Sequence, residues 1–377
     1  MIPLSVPHIA GNEWEYVKRC LDSGWVSSAG SFVDDFEQKI AQYTGAKHAI
    51  ATASGTAALH TALILAGVQQ NDLVIIPNLT FAATANAVRY LHADPILCDV
   101  RHNTWQLDLD LLDDWLATQT KIKDGVCIHR DSGRKIPAII PVHVLGNMVD
   151  MEKLKELATA YQLTIVEDAA EALGSFWGTK HAGTIGKIGC LSFNGNKIMT
   201  TGGGGMILTD DDDLAKRALH LTRQAKTDPV EYDHDEVGFN YRLSNVSAAI
   251  GVAQLEQIEA FLTKKRNLAV RYREAFSDIS GIFLQQKTLL STTNHWLFTI
   301  GCERSRELMA HLDKHGIQSR PLWRPMNQLP MYRECMYISE QDVAGILNKA
   351  CLSIPCSSNL SEEDQETVIK QIREFYD

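Results

Sequence analysis

Short unbroken apolar runs alternate with segments of helical spacing over the first two-thirds of the chain. The runs at 73–77 (LVIIP), 138–144 (AIIPVHV), 163–166 (LTIV), 190–193 and 206–209 are too short for helices. They are apolar at successive positions rather than at every second one, which predicts strands buried on both faces. Between them, residues 54–66, 82–91 and 151–161 carry apolar positions at helical spacing. Strand–helix alternation of this kind predicts an α/β fold, a mainly parallel sheet with helices on both faces. Residues 127–140 hold Asp131-Ser132-Gly133 between apolar flanks, which predicts an inserted hairpin. A helical pattern then runs from Ser244 to about Phe276, with Ser244 or Asn245 as its N-cap. Beyond it the texture changes to a smaller α+β segment. The expected organisation is a large domain over residues 1–250 and a small one over 251–377.

Composition fits two domains, since 377 residues exceed the roughly 100–200 of a single one. At 45% hydrophobic and 22% charged, the chain is globular rather than disordered. A net charge of −10 argues against nucleic acid and anionic membranes as partners, so any anion site must be built locally. The eight cysteines form no C-x-x-C pair and no Cys/His cluster of zinc-site spacing, so no metal is expected. They read as reduced thiols. No apolar run approaches the roughly 18 residues of a membrane helix, and the first residues lack the pattern of a signal peptide. The expectation is a soluble, cytoplasmic protein.

The motifs of several enzyme classes are missing. There is no Walker A loop, no G-x-G-x-x-G, no G-x-S-x-G and no H-E-x-x-H. Polar residues at predicted strand ends remain, and ligands of open parallel sheets lie beyond the carboxyl ends of strands. Ser54-Gly55-Thr56 opens a helix and offers backbone N–H groups and hydroxyls to a phosphate; the plainer reading is an ordinary N-cap. Asp168 ends an apolar strand, where a carboxylate needs a cationic or hydrogen-bonding partner, or caps the next helix. Lys197 follows Ser192 in CLSFNGNK, at another strand end. Desolvated in a pocket it is an amine nucleophile, and otherwise a surface charge. Phe81 is either a stacking ring or core packing. A phosphate cradle, a buried carboxylate and a lysine nucleophile together are what pyridoxal phosphate requires.

Read together, these segments resemble the DegT-type nucleotide-sugar aminotransferases. The likeness runs from Trp25-Val26-Ser27 through Ser54-Gly55-Thr56-Ala57-Ala58, Thr80-Phe81, Pro141-Val142-His143 and Glu167-Asp168-Ala169-Ala170-Glu171. It continues through the Ser192–Lys197 segment, Thr200 to Gly205 and Gly238 to Ser244, ending at Gln254-Leu255. The Lys197 segment is most similar to the subgroup acting at C4 of keto-sugar nucleotides, on routes to legionaminic acid or bacillosamine. The resemblance implies a fold-type I pyridoxal-phosphate transferase, with a mainly parallel seven-stranded sheet in the large domain and a small α+β C-terminal domain. It implies that Lys197 bonds the cofactor aldehyde and shuttles a proton, and that Asp168 pairs the pyridine nitrogen. Ser54, Gly55, Thr56 and Ser192 would bind the phosphate, and Phe81 would stack on the ring. Asn240 would reach the phosphate site of a second copy, because the family's sites form at a homodimer interface. Trp25, Ser27, Ser28, Arg320, Trp323 and Arg324 would contact substrate, while His143 reads as structural.

The implied reaction is amination of a nucleotide-linked 4-keto-6-deoxy sugar, uridine- or guanosine-linked and N-acetylated, with glutamate as donor. One departure stands out. Glu171 occupies a cofactor-side position where many members carry Gln, and a second carboxylate near Asp168 raises one of the two pKa values. Lys197 favours amino transfer over the dehydratase branch, which has His there. A dehydratase and a non-catalytic cofactor-binding regulator stay open as alternatives.

Overall fold

The computed structural model describes residues 1–228 and 230–376. Its centre is an eight-stranded sheet. In spatial order the strands are His48–Thr52, Gly205–Thr209, Ile188–Ser192, Thr164–Asp168, Ala138–Ile139, Leu73–Pro77, Asp94–Cys98 and Tyr337–Ile338. Seven of these come from residues 48–209. Gly205–Thr209 runs antiparallel to both neighbours, and the remaining pairings are parallel. The eighth, Tyr337–Ile338, belongs to the C-terminal third and extends the sheet beside Asp94–Cys98.

The unbroken apolar runs are explained by two cores, one on each face. Leu73 and Ile75 pack into one apolar cluster, Val74 and Ile76 into the other. Leu191 and Cys190 divide in the same way, as do Met206 and Ile207. Alternate side chains point to opposite faces, so a strand covered on both sides needs hydrophobes at every position.

Two local expectations change. The run at 138–144 forms a strand only over Ala138–Ile139. Pro141 has no N–H for a ladder, and the chain turns away through Leu145 at φ 61°. The pattern from 244 to 276 is two helices, Asn245–Leu255 and Ile258–Ala275, separated at Glu256-Gln257. Ser244 does cap the first, its hydroxyl accepting from the Ser247 N–H. The apolar pattern crosses the break because the second helix begins on the first core, with Ile258 and Leu262, and ends in another, with Leu268, Ala269 and Tyr272. The hairpin also holds a second turn. Val126–His129 pairs back onto Thr120–Lys123 and also bridges forward, Ile128 to Lys135, around Asp131–Gly133.

A four-stranded antiparallel sheet, ordered Ile282–Leu284, Phe298–Cys302, Cys351–Ile354 and Arg320–Pro321, packs with the helices Ser305–Lys314 and Glu362–Tyr376. Ile2 joins this C-terminal core. All eight cysteines are free thiols. Among the described residues, no helix is long and apolar enough to cross a membrane.

Candidate active site

Several strand ends open on one cavity of about 220 Å³. After His48–Thr52 the chain turns at Ser54, whose hydroxyl accepts from the Ala57 N–H at 3.0 Å and starts the helix Gly55–Leu65. That helix has no acidic side chain in its first turn, so its positive end faces the cavity uncompensated. Gly55 lies so near the neighbouring strand end that a Cβ there would sit 2.9 Å from Ser192 Cβ and 3.1 Å from its hydroxyl. Ser54, Gly55, Thr56 and Ser192 thus line one cradle.

Asp168 is the last residue of its strand and is 5% exposed. One carboxylate oxygen accepts from the Thr84 hydroxyl at 2.7 Å, the other from the Ala170 N–H at 3.2 Å. Thr84 is itself braced by Thr80 at 2.8 Å. Burial pushes the Asp168 carboxyl up, while Thr84, Ala170 and the Lys197 charge pull against it. Glu171, on the turn that follows, is pushed up to about 7, mainly by burial, with the charge of Asp168 adding to the rise. Its Oε2 accepts from the Leu145 N–H at 2.8 Å. Its Oε1 lies 3.8 Å from the Lys197 amine.

Lys197 sits in a tight turn, its N–H donating to the Asn194 carbonyl at 3.0 Å. Burial lowers the pKa of its amine, against the opposing pull of Glu171 and Asp168. The amine also lies 3.9 Å from the ring centroid of Trp296. Phe81 precedes the helix Ala82–Tyr90 and lines the cavity with 58% of its surface exposed, unlike a core phenylalanine.

Of the other sequence candidates, all but Trp323 lie outside this cavity. Asn240 is exposed and bridges Arg223. Trp25 borders a separate depression with Arg19 and Asn245. Ser27 and Ser28 are exposed, and the Ser27 carbonyl accepts from the Asn245 N–H at 2.6 Å. Arg320 and Arg324 are exposed, whereas Trp323 does line the cavity. His143 is fully buried. Its Nε2 is 2.9 Å from Glu167, and its Nδ1 accepts from the Val149 N–H at 3.4 Å. Among the described residues one grouping of metal-ligand type occurs, His220, Asp235 and Glu236, and Arg217 already pairs with Glu236 there.

The sequence reading missed Thr84, Trp296 and Asn294. Thr84 lies in the first turn of the helix Ala82–Tyr90, just after Thr80 and Phe81, and its place beside those residues was a usable signal. Asn294 is fully buried. It donates to the carbonyls of Glu171 at 2.8 Å and Leu173 at 2.9 Å and accepts from the Trp296 N–H at 2.9 Å. Nothing local in the sequence marks it or Trp296.

A helix end, two buried carboxylates and a largely desolvated amine meeting at the carboxyl edge of a mainly parallel sheet define a fold-type I pyridoxal-phosphate enzyme. The chain belongs to the DegT/DnrJ/EryC1/StrS aminotransferase family, whose model matches residues 7–373. It is 37% identical over 378 residues to GDP-perosamine synthase of Escherichia coli O157:H7, covering 100% of this chain and 98% of that one. It is 34% identical to the putative pyridoxal phosphate-dependent aminotransferase EpsN of Bacillus subtilis, covering 100% and 96%. The structure is similar to that of a family aminotransferase from Brucella abortus, with TM-score 0.89, 28% identity and 97% and 95% coverage. It is also similar to DesV of S. venezuelae, solved in complex with a ketimine intermediate, with TM-score 0.87, 29% identity and 97% and 94% coverage. The protein is a pyridoxal-phosphate-dependent sugar aminotransferase. The cavity fits that cofactor: an amine for the aldehyde, a buried carboxylate for the ring nitrogen, and a cradle at a helix end, which a Cβ at Gly55 would crowd, for the phosphate.

Proposed function

We propose that this chain moves an amino group from glutamate to C4 of a nucleotide-linked 4-keto-6-deoxy sugar. The observation that carries the reading is the Lys197 amine, largely withdrawn from solvent and 3.8 Å from Glu171, in the cavity that Asp168 and the Gly55–Leu65 helix end also line. When bound, the cofactor supplies an aldehyde and an electron-withdrawing ring. Every other contribution belongs to the chain. Ser54, Gly55, Thr56 and Ser192 hold the phosphate with hydroxyls, backbone N–H groups and the helix dipole. Asp168 holds a proton on the ring nitrogen. Its burial makes an unpaired charge costly, so a cationic partner is what keeps it ionised. Phe81 covers one ring face. Lys197, lowered by burial toward the neutral amine, carries a proton to and from the reacting carbon. Glu171 lies beside that amine and shares its proton balance.

The relatives named GDP-perosamine synthase support a guanosine-linked amino-sugar product. Exposed Arg320 and Arg324 suit a diphosphate through bidentate hydrogen bonds, with Trp25, Ser27 and Ser28 completing the substrate contacts. Asn240 is exposed and outside the chain's own cavity, which supports its acting in a second copy's site within a homodimer.

The test is transfer of isotopic nitrogen from glutamate to guanosine- and uridine-linked 4-keto sugars by the purified, cofactor-loaded chain. Label in the sugar amine is expected. Cofactor bound with no label in any sugar overturns the reading and favours a regulator; loss of water from the sugar without use of glutamate favours a dehydratase. For the dimer, mixing Lys197→Ala with Asn240→Ala subunits should restore part of the activity. No recovery after confirmed subunit exchange overturns the interface role of Asn240.

A further inference from the structure

Trp296 is held at each of its polar atoms. Its N–H donates to Asn294 Oδ1 at 2.9 Å, and its carbonyl accepts from the buried Lys265 ammonium at 2.6 Å. Its indole N–H donates to the carbonyl of Asn196, the residue before Lys197, at 2.6 Å. The ring stacks on Trp323, with centroids 6.2 Å apart and planes 12° from parallel, and the residue is 3% exposed. Asn294 also grips the Glu171 carbonyl at 2.8 Å. One network therefore fixes the ring, the backbone of Glu171 and the turn that carries Lys197. Its members come from both the cofactor-side turns and the C-terminal part of the chain.

The Lys197 amine ends in this network, 3.9 Å from the Trp296 ring centroid and 3.8 Å from Glu171 Oε1. A lysine stem has four rotatable carbons and is not pre-organised. In a desolvated cavity the negative face of an indole attracts an ammonium. We propose that Trp296 is a positioning residue for Lys197: its ring face and the Glu171 carboxylate hold the amine at one place in the cavity whenever it is free of the cofactor. Which proton the amine then moves rests on the function proposed above; where the amine rests does not.

The charged groups that face Lys197 are Asp168 and Glu171, both on the 168–171 segment, while Lys265 reaches the backbone of Trp296. Removing the ring face takes support from the ammonium and leaves the burial penalty. The apparent pKa of Lys197 then falls by about half a unit to about one and a half units, or about threefold to thirtyfold faster acylation at a fixed pH on the acid side.

The measurement is competitive labelling of the cofactor-free full-length chain with acetic anhydride across pH, the Lys197 peptide being quantified by mass spectrometry. Trp296→Leu is expected to show that fall. Trp296→Phe keeps a ring face while losing the hydrogen bond to Asn196, and is expected to recover at least half of it. A Trp296→Leu profile matching the unsubstituted chain overturns the proposal. A Trp296→Phe profile matching Trp296→Leu also overturns it, since the hydrogen bond and not the face would then be responsible. If Trp296→Leu does not fold, Trp296→Met, unbranched and able to fill irregular gaps, takes its place in the same comparison. Labelling needs no turnover, so failure of amino transfer and failure of this proposal are separate results.

Discussion

Replacing Glu171 by Gln keeps the volume of the side chain and an oxygen to accept from the Leu145 N–H, and removes only the ability to ionise. In the folded chain this carboxyl titrates at about 7 rather than its ordinary 4.5, with burial the main cause. The folded state therefore holds a proton that the unfolded chain has already lost between those two values. Stability contributed by the neutral acid is complete below pH 4.5, declines as pH rises, and is gone above about 7. At about 1.4 kcal/mol per pH unit, the loss is about 3 kcal/mol. Glu171→Gln stays neutral throughout. The cofactor-free variant should therefore match the parent's pH trend below pH 4.5 and gain up to about 3 kcal/mol over it by pH 7.5. Urea unfolding of both chains at intervals between pH 4 and 8 measures the difference directly. A difference that stays constant across that range, or grows toward acid, refutes the assignment of a buried, proton-holding Glu171.

Lys197→Ala should bind the cofactor without covalent attachment, so borohydride reduction followed by mass spectrometry should find a cofactor adduct in the parent and none in the variant. Gly55→Ala places a methyl group 2.9 Å from Ser192 Cβ in a tight cradle. It should cost about 1–3 kcal/mol of stability and weaken cofactor binding, read by equilibrium dialysis, with partial recovery when combined with Ser192→Gly. Asn294→Ala strands the carbonyls of Glu171 and Leu173 and the Trp296 N–H. A loss of about 2–4 kcal/mol by urea unfolding is expected, together with weaker quenching of tryptophan fluorescence by bound cofactor.

The sheet could be read from the sequence because strands buried on both faces must be apolar at every position, as Leu73–Pro77 is. Helix starts could be read because capping is local: Ser54 and Ser244 each satisfy an N–H three residues on. The break at Glu256-Gln257 could not. Residues on both sides of it, Leu255 before and Ile258 and Leu262 after, bury into the same core, so the periodicity never falters.

The same division holds at the site. The amino-acid sequence by itself determined the family and the cofactor, and it singled out Lys197, Asp168 and the Ser54–Thr56 turn as candidates from residue type and place at strand ends; the fold brings these to one cavity. The sequence also placed Glu171 beside Asp168. Only the folded chain decided that burial outweighs their mutual repulsion in raising Glu171. Trp296 and Asn294 lie roughly a hundred residues from Lys197 in the chain. Their role depends on distances of 2.6–3.9 Å that arise only when the C-terminal part packs against the cofactor-side turns. Hydrogen bonds and ring contacts act over a few ångströms, and no local pattern along a chain encodes a contact between segments so far apart.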